Sequence, residues 1–391
     1  MDTAVREVRG KPTLQQPLWP DDGRVAEVRA DLADRPPLVD PAEILMLRGL
    51  LAQVARGSAR VVQAGDCAED PQESTIGYVA RKAGVLDLLA GAMKMVSHKP
   101  VVRVGRIAGQ FAKPRSQSVE TVGGCELPVF RGHMVNGIEP SPEGRMPDPG
   151  RLLLCYDAAA DILGHLRALR GGGTDGAVAE QPVWSSHEAL LLDFELAMLR
   201  KDEHGLWLTS AHLPWIGERT RALDGAHVEL FSQISNPVAC KVGPSMTVAE
   251  ITALCERLDP DRDAGRLTLI ARMGAEAVED LLPPLVEAVR AGGHPVIWLT
   301  DPMHGNTVTT PEGLKTRYVE AIEREVRGFL RATRRAGGVT GGVHLETTPE
   351  HVTECVRNET HAGQVGEKYL SHCDPRLTAS QAISVIASWH G

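Results

Sequence analysis

Short apolar runs alternate with longer stretches in which apolar residues recur every three or four positions. ARVVQAGD (59–66), PVVRVGR (100–106), PVWSSHE (182–188), LWLTSAH (206–212), NPVACKVGP (236–244), GRLTLIARMG (265–274), PVIWLTD (295–301) and GGVHLETTP (341–349) read as buried strands, the fourth being the thinnest. Helical periodicity fills the intervals: 75–96, 149–170, 189–200, 249–258, 278–292, 315–337 and 380–390. GGGTDGAVAEQ (171–181) reads as a loop. Apolar strands alternating with amphipathic helices predict a parallel sheet with helical cover, and eight closed units predict a (β/α)8 TIM barrel. The competing arrangement is an open doubly wound sheet, but no Gly-rich dinucleotide loop follows the first strand and no GxxxxGK loop occurs.

Ahead of this rhythm, residues 1–57 form an N-terminal helical and extended arm. It closes with PAEILMLRGLLAQVARG (41–57), whose apolar spacing is helical and whose Gly57 is a stop signal. Residues 58–391 are then expected to make up the barrel.

Composition narrows the function. Apolar residues make up 42% of the 391, enough for a large core, and the formal charge of -9 argues against nucleic acid as a partner. No apolar run nears the ~18 residues of a membrane helix, and the first twenty residues hold no leader-like apolar core. Seven cysteines, an odd number without a CxxC, point to a reducing, cytoplasmic setting.

Barrel enzymes place their reactive groups just past the C-terminal ends of the strands. Polar residues recur there. Arg106, Lys113, Arg115, Arg219, Lys241 and Arg272 form a basic subset from four strand ends. One arginine alone is more simply a structural ion pair. Six together suit a small substrate with several negative charges. Cys67, His304, Glu346 and Asp374 form a second subset, without local ligand spacing. Its bland reading is an inert buried thiol and a hydrogen-bonded structural histidine. Its functional reading is a mixed S, N and O site for Mn²⁺, Co²⁺ or Zn²⁺. His187, His212 and His344 are spare ligand or acid–base candidates. Trp184, Trp215 and Trp298 read as wall or core, and EREVRGFLRATRR as the wet face of an outer helix.

QAGDCAED, VGRIAGQFAKPRS, SHEALLLDFE, WIGERTR, NPVACKVGP, LIARMG, DPMHGN, KTR, HLETTPE and CDPRL, in this order, resemble the type II (plant-like) 3-deoxy-D-arabino-heptulosonate 7-phosphate (DAHP) synthases from about residue 12 to about 389. The resemblance implies a (β/α)8 enzyme that condenses phosphoenolpyruvate with erythrose 4-phosphate, releases phosphate, and needs a divalent metal but no organic cofactor. It implies Cys67, His304, Glu346 and Asp374 as metal ligands. It places Arg106, Glu218, Arg219, Lys241 and Arg272 on phosphoenolpyruvate, Lys113, Arg115 and Ser116 near the aldose phosphate, and Glu188 in the pocket wall. Arg106, Lys113, Glu218, Lys241 and His304 carry the catalytic expectation. The general acid or base stays open among Glu218, His304 and a metal-bound water. Within the family the alternatives are an amino-DAHP synthase taking an imino-erythrose phosphate and, from another class, a silent phosphometabolite-binding regulator. A homodimer or higher homo-oligomer is expected.

The short form resembles members found in phenazine and other secondary-metabolite clusters. The chain departs from the family at His133, where Asp is usual after Arg-Gly, and at Thr378, where Asn usually follows Leu. Longer members carry an N-terminal extension and, where this chain holds only residues 171–181, an extra helical pair, elements that resemble the aromatic-amino-acid sensing parts of the long form. Phe, Tyr and Trp at low micromolar concentration are therefore expected to leave phosphate release unchanged in an initial-rate assay. Inhibition by any of them would overturn this expectation.

Overall fold

The computed structural model describes residues 1–171 and 181–390, so most of the 171–181 loop lies outside the described residues. Among these, eight parallel strands form one sheet: β1 Arg60–Gly65, β2 Val101–Arg106, β3 Val183–Ser186, β4 Trp215–Ile216, β5 Val238–Val242, β6 Leu267–Ala271, β7 Ile297–Thr300 and β8 Thr340–Glu346. The spatial order is β3-β2-β1-β8-β7-β6-β5-β4. The two ends meet through a parallel bridge between Glu188 and Trp215, with Trp215 N–H donating to His187 O at 3.0 Å, which closes the barrel. β5 and β6 are buried at every residue, as strands covered on both faces must be. Gly342 sits at the β1–β8 seam opposite Val61 with φ +156, and a Cβ there would lie 1.8 Å from Val61 O, so only glycine permits this approach.

Helices surround the sheet: α1 Asp2–Arg9, α2 Asp22–Asp34, α3 Pro41–Ala55, α4 Ile76–Ser97, α5 Gly150–Leu169, α6 Leu192–Ala197, α7 Ala226–Gln233, α8 Val248–Leu258, α9 Val278–Ala291, α10 Val319–Arg335 and α11 Ala379–Ala387. α3 starts at a capping box, Asp40 with Glu43, followed by Pro41 at the first helical position. Its Leu47, Leu51 and Val54 share a core cluster with Val61, Val102, Ala239, Ile270 and Ile297 from inside the barrel. The helix therefore plugs the end where the strands begin. α1 packs on α7, and α2 on α5 and α6, so the arm wraps the barrel as well as capping it.

Three expectations need correction. LWLTSAH (206–212) is not the fourth barrel strand. Gly205–Leu208 pairs antiparallel with Leu199–Asp202 as an outlying hairpin, and the barrel takes Trp215–Ile216 instead. Local turn chemistry decides this: Asp202 Oδ1 accepts from His204 N, Gly205 N and Trp207 Nε1, fixing a tight turn that folds the apolar run back on its neighbour. The same hairpin shortens the helix expected over 189–200 to α6. Lys315–Arg317 likewise pairs with Thr307–Thr309 rather than opening α10.

Leu51 is 1% exposed at the centre of the plug. Leu51→Ala is expected to lower stability by about 2–5 kcal/mol in denaturant unfolding, with the remote catalytic mouth keeping its activity per folded molecule.

Candidate active site

The barrel interior turns from apolar to polar along its axis. Above the layer of Trp184, Leu213 and Ile270 runs a buried hydrogen-bonded chain. Ser186 Oγ donates to Gly105 O (2.9 Å), Gln63 Nε2 donates to Ser186 Oγ (3.0 Å), and His344 Nδ1 meets Gln63 Oε1 at 2.8 Å. His344 Nε2 then accepts from Arg106. Burial and the charges of Lys241 and Arg106 hold the imidazole well below its ordinary pKa, so it is the neutral Nδ1–H tautomer. Trp215 completes this layer, with the Arg106 guanidinium 5.3 Å and the Lys241 ammonium 5.9 Å from its ring centroid.

On this floor opens a cavity of about 460 Å³. Arg106, Lys113, Arg115, Ser116, Glu188, Glu218, Arg219, Lys241 and Arg272, all singled out in the sequence, line it, together with His304 and Asp374. Arg106 is buried, donating to Asp66 O (2.9 Å) and Glu346 Oε1 (2.9 Å). Lys113 lies 3.1 Å from Asp374 and 3.6 Å from Glu346. Lys241 pairs with Asp301, yet burial, helped by Arg106, pulls its ammonium down to about 8. Arg219 stands exposed and donates to Ser116 Oγ at 2.6 Å. Arg272 donates to His304 O at 3.2 Å. Glu188 has one carboxylate oxygen buried without a partner, and burial raises its pKa. Glu218 binds Arg221 through Oε1 (2.9 Å) and leaves Oε2 without a partner.

At the cavity floor, one donor atom each of His304, Glu346 and Asp374 lie within 4.8 Å of one another. The chemistry of this set fits a divalent cation. Asp301 takes His304 Nδ1 at 2.7 Å and the N–H groups of Met303 and His304, which leaves Nε2 facing Glu346 Oε1 at 3.3 Å. Surrounding cations hold Glu346 and Asp374 well below the usual carboxylate range, so both are anionic donors. Cys67 stands outside this triangle. Its buried sulfur lies 3.3 Å from Ser371 Oγ and is hydrogen-bonded with Cys373, and that bond pulls the thiol down to about 6.

Several partners went unassigned in the sequence. Asp301 is buried three residues before His304 in DPMHG, a spacing that signals an orienting carboxylate. Arg317, the arginine of KTR, donates to Glu346 Oε2 at 2.7 Å and is wholly buried. Two more carboxylates hold the loops. Glu69 accepts the N–H groups of Ala108, Gly109 and Gln110 at 2.8–3.0 Å, fixing the left-handed Ala108 (φ +64) after β2. Glu325 of α10 accepts from Met273, Gly274 and Asn306 Nδ2, tying together the loops after β6 and β7. Glu69 stood in the QAGDCAED motif without an assigned task, and Glu325 corrects the reading of EREVRGFLRATRR as a wet face, since it is buried and acts across the fold.

The profile of the class-II DAHP synthetase family matches residues 3–179 and 174–388. This chain belongs to that family. Among relatives, a probable phospho-2-dehydro-3-deoxyheptonate aldolase of Pseudomonas fluorescens is 53% identical over 390 residues, covering 100% of this chain and 97% of the relative. Phospho-2-dehydro-3-deoxyheptonate aldolases of Streptomyces coelicolor and Mycolicibacterium smegmatis are 41% and 39% identical, each over 96% of this chain and over 94% and 91% of their own lengths. A phospho-2-dehydro-3-deoxyheptonate aldolase structure from Francisella tularensis superposes with TM-score 0.51 over 99% of this chain and 97% of its own, at 12% identity, a likeness of fold.

The departures of this class-II DAHP synthetase have local accounts. His133 packs edge-on against Phe130 at 5.2 Å, its Nε2 buried 4.0 Å from Asp70, and burial lowers its pKa. A neutral ring fits that site. Thr378 caps α11, accepting from Gln381 N, a task that Asn performs equally well. Asp301→Asn is expected to weaken Mn²⁺ binding roughly 10–100-fold by calorimetry, because Nδ1 loses its carboxylate partner. Undiminished affinity would remove Asp301 from this role.

Proposed function

We propose that this chain is a DAHP synthase, joining phosphoenolpyruvate to erythrose 4-phosphate at the first step of the shikimate route, with release of phosphate. The observation that carries the reading is one cavity that gathers cations from four strand ends above a three-donor cluster, in a chain of this family. Arg106, Arg219, Lys241 and Arg272 grip the carboxylate and phosphate of phosphoenolpyruvate. Lys113, Arg115 and Ser116 hold the aldose phosphate, and Glu188 lines the space between. His304, Glu346 and Asp374 would hold Mn²⁺ or Co²⁺, with Cys67, whose sulfur lies outside their triangle, as the fourth donor that the family resemblance implies. When bound, that metal supplies Lewis-acid polarisation of the aldehyde oxygen.

The residues themselves supply position and proton control. The two anion grips set C3 of the enol against the aldehyde carbon, replacing a bimolecular search with a held geometry. The C2–C3 π electrons form the new carbon–carbon bond while the aldehyde C=O π pair moves onto its oxygen, which takes up a proton to become a hydroxyl, and water adds at C2. The resulting hemiketal phosphate expels phosphate by C–O cleavage. We assign the proton of that water to Glu218, a reading supported by its one carboxylate oxygen that lacks a protein partner. Arg106 and Lys241 keep the departing phosphate charge balanced.

Phosphate release that needs both substrates, falls at least tenfold on chelation and returns with Mn²⁺ is the expected result. Release from phosphoenolpyruvate alone, or with an amino-substituted aldehyde only, would overturn it. Lys241→Ala should raise the KM for phosphoenolpyruvate on the order of 10–100-fold. With the wild type, that KM should climb as pH rises through about 8, where Lys241 loses its proton, and Lys241→Arg should remove the inflection.

A further inference from the structure

We propose that residues 12–16 form a strap over the barrel mouth, and that Gln15 is a positioning residue for the loop carrying Arg115 and Ser116. The inference rests on the reading of that loop as the aldose-phosphate grip.

Gln15 is a non-glycine residue with φ +63, a conformation that persists only where the surroundings over-determine it. They do so here. Arg131 donates its guanidinium to Gln15 O and, at 3.3 Å, to Gln16 O. Gln16 is bolted to the segment just past Glu188, donating to Leu190 O at 2.8 Å and accepting from Leu192 N at 3.0 Å. Pro12 O accepts from Ala226 N at 3.0 Å. Between these anchors the Gln15 side chain reaches inward, and its Oε1 accepts the Arg115 N–H at 2.9 Å.

That bond closes a circuit. Arg131 ties the strap through its guanidinium and ties the same loop through its carbonyl, which accepts from Lys113 N at 2.9 Å. Lys113 and Arg115 are thus held from both sides of Pro114. Fixing the Arg115 amide fixes the origin of a side chain poised between Glu120 (3.2 Å) and Cys373 Sγ (3.9 Å), and of Ser116 next to it. The loop has exposed residues from Ser116 to Val119, so its aim depends on such anchors. The strap is therefore part of the active site's second substrate position, although it lies a hundred residues away in sequence.

The test uses the full chain with Mn²⁺ and both substrates. Gln15→Ala and Gln15→Gly should raise the KM for erythrose 4-phosphate about three- to tenfold, the loss expected for one hydrogen bond. The KM for phosphoenolpyruvate should stay within about twofold. Gln15→Gly also relieves the left-handed backbone, so its Tm should not fall. Leu18→Ser, a change at a 91% exposed position beyond the strap, serves as the control and should match wild type. Unaltered kinetics in both Gln15 variants would overturn the inference, as would a parallel rise in both KM values with a falling Tm, which marks a general staple. A wild-type chain that releases no phosphate would instead overturn the functional reading beneath it.

Discussion

The site is organised around a single buried carboxylate. Glu346 is fully buried at the end of β8, and Arg106, Lys113, Arg317 and His304 all converge on it. Arg106 and Arg317 are themselves sealed from solvent. A buried guanidinium without a partner is strongly destabilising, so these cations are tolerated because the carboxylate is there, and it stays ionised because they surround it. The excess of positive charge left after this pairing is what the cavity presents to an anion. One constraint thus gives both a stable polar core and an anion-seeking mouth.

The loops bearing these groups are irregular, and irregular backbone needs its polar groups satisfied from elsewhere. The same solution appears twice. Glu69 and Glu325 each accept consecutive amides of a loop that follows a strand. The first sets the segment between Arg106 and Lys113, and the second sets the segments carrying Arg272 and His304. Helices and neighbouring loops, rather than the strands alone, therefore aim the reactive side chains.

The barrel was legible because parallel strands leave unbroken apolar runs and end in polar residues, as GRLTLIARMG and PVIWLTD show. The basic and ligand subsets followed from that placement. LWLTSAH misled because it has a strand's composition, while its pairing partner was chosen by Asp202 in a turn. Asp301 was visible beside His304 but had no stated task, since only the fold shows it sharing its carboxylate between His304 and Lys241. Glu69 and Arg317 sat in the motifs QAGDCAED and KTR without a task, Glu325 in a run read as solvent-facing although it is fully buried, and Gln15 carried no local pattern. Their roles exist only through contacts between distant segments.

The helical plug of α3 has a bearing on how the enzyme is filled. With its apolar residues seated among Val61, Ala239 and Ile297, the interior is a cup, not a pipe. The cavity then opens at the end where the strands finish, and a ligand held deepest in it enters first and leaves last. The donor cluster of His304, Glu346 and Asp374 lies at the floor of that cup, so whatever occupies the mouth also covers the way to it.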